Sequence, residues 1–575
     1  MDGRSAPIFK GLVFPAGRGK PARRRTATKT EPIARNLGPI GPPPLSSLRR
    51  GRYQAAHARR TGPAGVRHGR TVTLESLTYV GLPIGAVILD ALVRPRVRAG
   101  TGLRMRRAAG LWLLACMSGA LFGLFLAVCG NGAVAAVLVL AVQALLVLAS
   151  NAKHAMLGEP LLFSDLALVG AIFRHPQFYL SAVRLWQRIA VGIVAAGLLA
   201  VLAWLSVAAP APHLLGLALL LAGLAALAIL LRLPPWRDLA PLPRAHDDVA
   251  RLGLWPTLLL HWLRWRESRD PPPPAPIARQ TPPGAPGLPP ELVVIVQCES
   301  FADPVELFAE PALALPALAE ARRHACQWGN LEVSGFGAYT MRTEYGVLFG
   351  RDEDALGFRR FDPFLTALGE ASWALPARLR DHAGAADWRS VFVHPHDMRF
   401  YGRDRIMPAA GFAALVGEES FAPPAPGEGR YVGDAAVAGR IVDIARSAPG
   451  PSLIYAVTIE NHGPWAADGD TAQGELVPGY LRLVRRGDAM LAALVEEMRA
   501  MKRPALLVFF GDHRPSIPGA SVPGGPRHTP YVMIVIDGEG RIQSADNRRV
   551  DLPPAGLHHA ILDRVLGAPV IPPAG

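Results

Sequence analysis

An α-helical membrane domain of about five spans, followed by an α/β domain with a doubly wound, mostly parallel sheet, is the fold class the sequence predicts. Three observations carry it. Half of the 575 residues are hydrophobic and only 19% are charged, whereas charged residues run near a quarter in soluble domains. Five apolar stretches crowd into residues 74–232. From residue 291 the pattern changes to short apolar runs separated by segments of helical periodicity.

The apolar stretches cover residues 74–93, 108–129, 132–150, 189–208 and 213–232. A spanning helix needs about 20 apolar residues to cross roughly 30 Å of hydrocarbon. The last four meet this readily. The first is the weakest, with Glu75 at its edge and Asp90 near its end. No small-residue cleavage site accompanies the first run, so retained helices are expected rather than a removed leader.

Charge sets the expected orientation. The net charge is +15, and residues 1–70 hold 16 Lys and Arg against Asp2 and Glu31. A basic arm beside membrane spans reads as cytoplasmic and in contact with anionic lipid. Nucleic-acid binding is the other reading of such a run, and the lack of aromatic interleaving argues against it. An odd number of spans then places the C-terminal half outside. The basic loop after the first stretch (Arg94, Arg96, Arg98, Arg104, Arg106 and Arg107) votes the other way.

The expected organisation is therefore a basic cytoplasmic arm (1–73), a transmembrane domain (74–232), interfacial helices with a Pro-rich linker (233–290) and an extracytoplasmic domain (291–575). Trp255, Trp262 and Trp265 beside arginines suit a helix lying in the membrane interface; a core helix is the alternative. "RDPPPPAPIARQTPPGAPGLPPE" is a semi-rigid, extended linker. Cys116 and Cys129 fall in apolar runs, and Cys298 and Cys326 in the polar half without CxxC spacing, which argues against a zinc-thiolate site.

In the C-terminal half, "ELVVIVQ", "WRSVFV", "SLIYAVTI", "ALLVFF" and "YVMIVI" are apolar without alternation, as in strands buried on both faces. Chemistry in such sheets gathers at the carboxyl ends of the strands. Four of these runs end in acid or imidazole: Glu299-Ser300, His394-Pro395-His396-Asp397, Glu460-Asn461-His462 and Gly511-Asp512-His513. Any one alone reads as a capping or hydrogen-bonded residue. Together they supply the oxygen and nitrogen ligands a divalent ion accepts. Between the first two runs lies "GFGAYTMRTEYGVLFG", whose Thr340 is a hydroxyl that a nearby metal could activate.

These motifs, in this order, resemble the lipoteichoic acid synthase and phosphoglycerol transferase family, a membrane-bound branch of the alkaline phosphatase/sulfatase superfamily. The matching residues are Glu299-Ser300, Thr340 with Glu344-Tyr345, His394 with Tyr401 and Arg403, "NHGPW" with His462, and Gly511-Asp512-His513. Tyr401 stands where the family often has Trp. "NAKHAMLGEPLLFSDL" (151–166) is similar to a loop the family carries between spans.

The resemblance implies a catalytic domain outside the bacterial inner membrane. Glu299, Asp512 and His513 would hold one divalent ion, manganese before zinc or magnesium, with Thr340 Oγ as a further ligand. Thr340 would attack a lipid phosphodiester, and His462 would serve catalysis and head-group binding alike. His394, Tyr401 and Arg403 would complete the head-group pocket. The donor implied is a membrane phospholipid, phosphatidylglycerol first, and the acceptor a cell-envelope glycan or polymer; no nucleic-acid partner is implied. A sulfatase would need a C/S-x-P-x-R segment, which the Thr340 region lacks. A phosphoethanolamine transferase usually carries more extracytoplasmic cysteines, and a non-catalytic scaffold need not keep the full residue set.

Overall fold

The computed structural model describes residues 66–96, 108–166, 185–275, 289–380, 388–425, 429–463, 465, 476–517, 520–521, 525–544 and 547–567. The basic arm and most of the Pro-rich linker lie outside the described residues. The N-terminal half is helical: α1 (Val66–Ala91), α2 (Ala108–Cys129), α3 (Gly132–Leu157), α4 (Leu185–Leu205) and α5 (Pro210–Leu230). Each predicted apolar stretch therefore forms a helix. Among the described residues, α2, α3 and α5 are long and apolar enough to cross a membrane, while Thr78–Ala91 and Ala196–Leu205 are shorter apolar pieces. Close packing of α2 on α5 depends on glycine: a Cβ on Gly123 would sit 2.4 Å from Leu220 N.

Two short helices bridge the halves, α6 (Ala245–Leu252) and α7 (Leu254–Glu267). Trp255 is buried while Trp262 is 38% exposed. Trp265 stacks on Phe163 with centroids 5.7 Å apart, and its Nε1 donates to Thr366 O at 3.3 Å. His261 stacks on Phe361 at 5.9 Å. Helix α7 is thus clasped by side chains from both halves.

The C-terminal half is built on strands β1 (Leu292–Cys298), β2 (Gln327–Leu331), β3 (Arg389–Val393), β4 (Ala414–Val416), β5 (Ser452–Val457), β6 (Ala505–Gly511), β7 (Thr529–Ile536), β8 (Ile542–Gln543) and β9 (Arg548–Arg549). The order is β4-β3-β5-β1-β6-β7-β2-β9, with β8 beside β7. The first five in this order run parallel. Strand β7 is antiparallel to both β6 and β2, and β2 is parallel to β9. The sheet is mixed at this end, where the sequence suggested only a mostly parallel arrangement.

The helices α8 (Pro316–His324), α9 (Thr340–Phe349), α10 (Asp434–Ser447), α11 (Leu476–Ala500) and α12 (Pro554–Leu566) cover the sheet. Alternate residues of β1 feed opposite cores. Leu292, Val294 and Val296 join the core under α10 and α11. Val293 and Ile295 join the core under α9 and α12. Burial on both faces explains the unbroken apolar sequence. Cys298 and Cys326 are both buried, and the Cys326 thiol donates to Met533 O at 3.3 Å.

Candidate metal and nucleophile site

At the carboxyl ends of β1 and β6, three side chains converge. Ligand atoms of Glu299, Asp512 and His513 all lie within 4.8 Å of one another. His513 Nε2 stands 3.5 Å from both Glu299 Oε1 and Asp512 Oδ2. Donor atoms about 2.0–2.1 Å from one tetrahedral ion stand roughly 3.3 Å apart, so the spacing fits a shared cation.

The surrounding bonds hold these groups in place. Asp512 Oδ1 accepts from Ser300 N and from His513 N, each at 2.8 Å. Asp512 Oδ2 is buried with no hydrogen-bond partner, as expected of an atom reserved for another ligand. His513 Nδ1 meets Arg514 O at 3.2 Å. Donation there fixes the tautomer that leaves Nε2 as a lone-pair donor. Ser300 Oγ donates to Glu299 Oε1 at 2.9 Å. Ser300 itself has φ 49°, and its carbonyl is held by Asn461 Nδ2 at 3.3 Å and Tyr480 Oη at 3.2 Å. Gly511 has no room for a side chain: a Cβ would lie 1.8 Å from Phe301 O.

Electrostatics agree with cation binding. Burial, then the neighbouring Glu299 carboxylate, pushes Asp512 up to about 6, against the pull of His513, the Ser300 amide and the Thr340 hydroxyl. Burial opposes charge on His513, but Asp512 and Glu299 outweigh it and raise its pKa. Two anions forced together in a dry site favour a proton or a cation between them.

Thr340 is the first residue of α9 and only 8% exposed. Tyr339 before it adopts φ 73°, ψ 34°, a left-handed turn that is costly for a bulky residue. Thr343 Oγ1 donates to Asp512 O at 2.9 Å, which docks the start of α9 onto the end of β6. The Thr340 hydroxyl hydrogen-bonds the Asp512 carboxylate, at the sheet edge where Glu299 and His513 converge with it.

The residues expected around a head group lie among aromatic and imidazole rings. His394, Tyr401 and His462 join a chain of rings: His394 to His396 (6.0 Å), His396 to Tyr431 (6.4 Å), Tyr431 to His462 (5.6 Å), and His396 through Phe400 to Tyr401 (6.1 and 4.4 Å). Burial, then Arg403, holds His394 well below the usual histidine range. The charges of Glu299 and Asp512 reach Tyr401, and that of Glu299 reaches Tyr431, so these rings lie near the acid cluster.

Arg403, expected to help complete a head-group pocket, has its guanidinium engaged inside the protein. It is 1% exposed and grips Glu344 of α9 through Nε at 3.1 Å and Nη2 at 2.6 Å. Its Nη1 meets His394 Nε2 at 3.2 Å. The invariant pull of a carboxylate in a dry site outcompetes a transient ligand, so most of the fork is spent internally. Sequence reading missed Tyr431 and the partner of Arg403. "GRYVGD" offers only an aromatic before a helix start and carries no specific signal.

Acids and an imidazole at the carboxyl edge of a covered sheet, beside a buried hydroxyl, define the class of metal-dependent enzymes. Residues 291–562 match the Sulfatase family model, so the C-terminal half is a Sulfatase domain of the alkaline phosphatase/sulfatase superfamily. The chain is 28% identical over 402 residues to the capsular polysaccharide biosynthesis protein RkpI of Rhizobium meliloti (strain 1021), covering 67% of this chain and 74% of that protein. Among solved structures it is similar to the integral membrane lipooligosaccharide phosphoethanolamine transferase A (EptA) of Neisseria meningitidis, with 14% identity and a TM-score of 0.46, covering 85% and 95% of the two chains. It is also similar to the Streptococcus pyogenes phosphoglycerol transferase GacH in complex with sn-glycerol-1-phosphate, with 17% identity and a TM-score of 0.39, covering 51% and 78%.

Proposed function

We propose that this protein transfers a phosphoglycerol group from a membrane phospholipid, phosphatidylglycerol first among candidates, to a cell-envelope glycan or polymer. The observation that supports the reading is the convergence of Glu299, Asp512 and His513 within 4.8 Å of one another, with Thr340 at the buried start of α9 and its hydroxyl hydrogen-bonded to Asp512. The name of RkpI supports a surface polysaccharide as acceptor.

The residues present fit one divalent ion: an orphaned carboxylate oxygen, a second carboxylate, and an imidazole with its metal-facing nitrogen free. When bound, such an ion lowers the pKa of a coordinated hydroxyl and offsets charge on the phosphoryl group; manganese is our first choice, with zinc and magnesium as alternatives. Thr340 Oγ, its proton passing to solvent, forms a bond to phosphorus as the bond from phosphorus to the diacylglycerol oxygen breaks. His462 is our choice for the acid that gives the departing diacylglycerol oxygen its proton. An acceptor hydroxyl, its proton passing to His462, then bonds phosphorus as the bond to Thr340 Oγ breaks, and Thr340 regains a proton from solvent. His394, Tyr401, His396 and Tyr431 line the head-group side, and Arg403 orders that wall through Glu344.

His396 Nδ1 is a buried ring nitrogen with no hydrogen-bond partner, suited to a glycerol hydroxyl. The rings of Phe400, Tyr401 and Tyr431 favour a second reading, phosphoethanolamine, because an ammonium group packs well on aromatic faces. The helical half anchors the enzyme as a five-span domain (74–232) behind a cytoplasmic arm (1–73), with residues 233–290 at the interface and 291–575 outside the cytoplasm.

Mass spectrometry of Thr340 after incubation with phosphatidylglycerol or phosphatidylethanolamine tests the reading. A glycerophosphate adduct is expected. A phosphoethanolamine adduct selects the second reading. No adduct on Thr340 while turnover proceeds would refute the nucleophile.

A further inference from the structure

We propose that Glu159, in the loop after α3, is a positioning residue for the nucleophile: it holds Arg342, which braces Tyr339 and so sets Thr340. The proposal rests on the reading of Thr340 as nucleophile.

The contact joins residues 183 apart in sequence. Arg342 Nη1 donates to Glu159 Oε1 at 2.7 Å, and Nη2 to Oε2 at 3.1 Å. This is the two-pronged geometry that fixes orientation as well as distance. Arg342 lies two residues beyond Thr340 on α9, and its side chain is 5% exposed. Its Nε donates to Phe361 O at 3.0 Å, and Phe361 stacks on His261 of α7. The guanidinium lies 3.8 Å from the centroid of the Tyr339 ring.

Tyr339 is the residue in the left-handed turn that starts α9. A bulky residue stays in that region only where its surroundings hold it. Here the Tyr339 ring is pinned under Arg342, and Arg342 is pinned by Glu159. The loop is itself stiff. Asp165 Oδ2 accepts from Lys153 Nζ at 2.5 Å and from Leu162 N at 2.8 Å, and Leu161 N donates to Ser150 Oγ at 3.1 Å. The helical half therefore reaches the turn that aims Thr340, a task beyond anchoring.

Two substitutions separate aiming from mere folding. Glu159→Gln removes the charge that orients Arg342, and Arg342→Lys keeps the charge but loses the fork. The full chain is reconstituted in vesicles of phosphatidylglycerol and phosphatidylcholine, with Thr340→Ala as control. Diacylglycerol release gives kcat and KM, and bound metal is counted. Both variants should lose at least tenfold in kcat, with KM within twofold and metal content unchanged; Glu159→Asp should recover part of kcat. A kcat within twofold of wild type in both variants, beside an inactive Thr340→Ala, overturns the latch. So does a loss carried by KM alone, or a loss of bound metal and of thermal stability that accounts for the whole effect. An active Thr340→Ala overturns the nucleophile reading instead.

Discussion

Replacing Glu344 by Gln isolates a fully buried ion pair in the C-terminal half. Arg403 and Glu344 have side chains 1% and 0% exposed, and they meet at 2.6 Å. Burial disfavours the Arg403 cation, and Glu344 outweighs that cost and raises its pKa. The substitution keeps the shape of the side chain but strands a guanidinium in a dry core. Breaking one partner of such a pair costs roughly 3–5 kcal/mol. For a domain of this size each kcal/mol moves Tm by about 2–4 °C, so Glu344→Gln should lower the apparent Tm by about 6–20 °C. Thermal unfolding of the detergent-solubilised chain, read by intrinsic fluorescence, measures it. The double variant Glu344→Leu/Arg403→Met should melt well above the single one, because a packed apolar pair avoids the stranded charge. A single variant within about 2 °C of wild type would show that Arg403 is solvated, and the internal pairing argued above would fail.

Two further perturbations address the metal cluster. Gly511→Ala places a Cβ 1.8 Å from Phe301 O, so the end of β6 must move; metal per chain, counted by plasma mass spectrometry, should fall from about one toward zero with a matching drop in Tm. Chelation should destabilise the protein more at pH 8 than at pH 5. The metal-free Asp512 carboxyl is pushed up to about 6 from an ordinary 3.8, so its contribution to stability is full below about 3.8 and is lost as pH rises through about 6. Melting curves with and without chelator at both pH values check the sign, and an equal or reversed difference would contradict it.

What could be read from the sequence follows a physical division. Strands β1, β3, β5, β6 and β7 were legible because both faces are buried, which writes the strand as an unbroken apolar run. Their terminal residues were legible because a polar group directly after such a run must sit at the sheet edge, and the edge is where Glu299, Asp512 and His513 converge. The strands β2, β4, β8 and β9 were missed; β2 carries Gln327 and Asn330, and β8 and β9 have two residues each, too few for a period to show.

Pairings were the harder part, because a charge's partner is set by topology and leaves no local mark. The motif around Arg403 holds Asp397 and Asp404 close by in sequence, yet the carboxylate that claims the guanidinium, Glu344, lies 59 residues earlier. Arg342 carries no sign of its partner in the Thr340 motif, because that partner, Glu159, sits in the other half of the chain. The same logic explains why the site's reactive members were easier to identify than its supports. Glu299, Asp512 and His513 converge at an edge that local sequence defines, where Asp512 Oδ2 is left without a hydrogen-bond partner. Arg342 and Arg403 act through bonds already made, and only the folded chain reveals which bonds those are. The cost of losing either arginine's partner is thus a property of the assembled cores, and the substitutions at Glu344 and Glu159 test that property where the local sequence offers no guide.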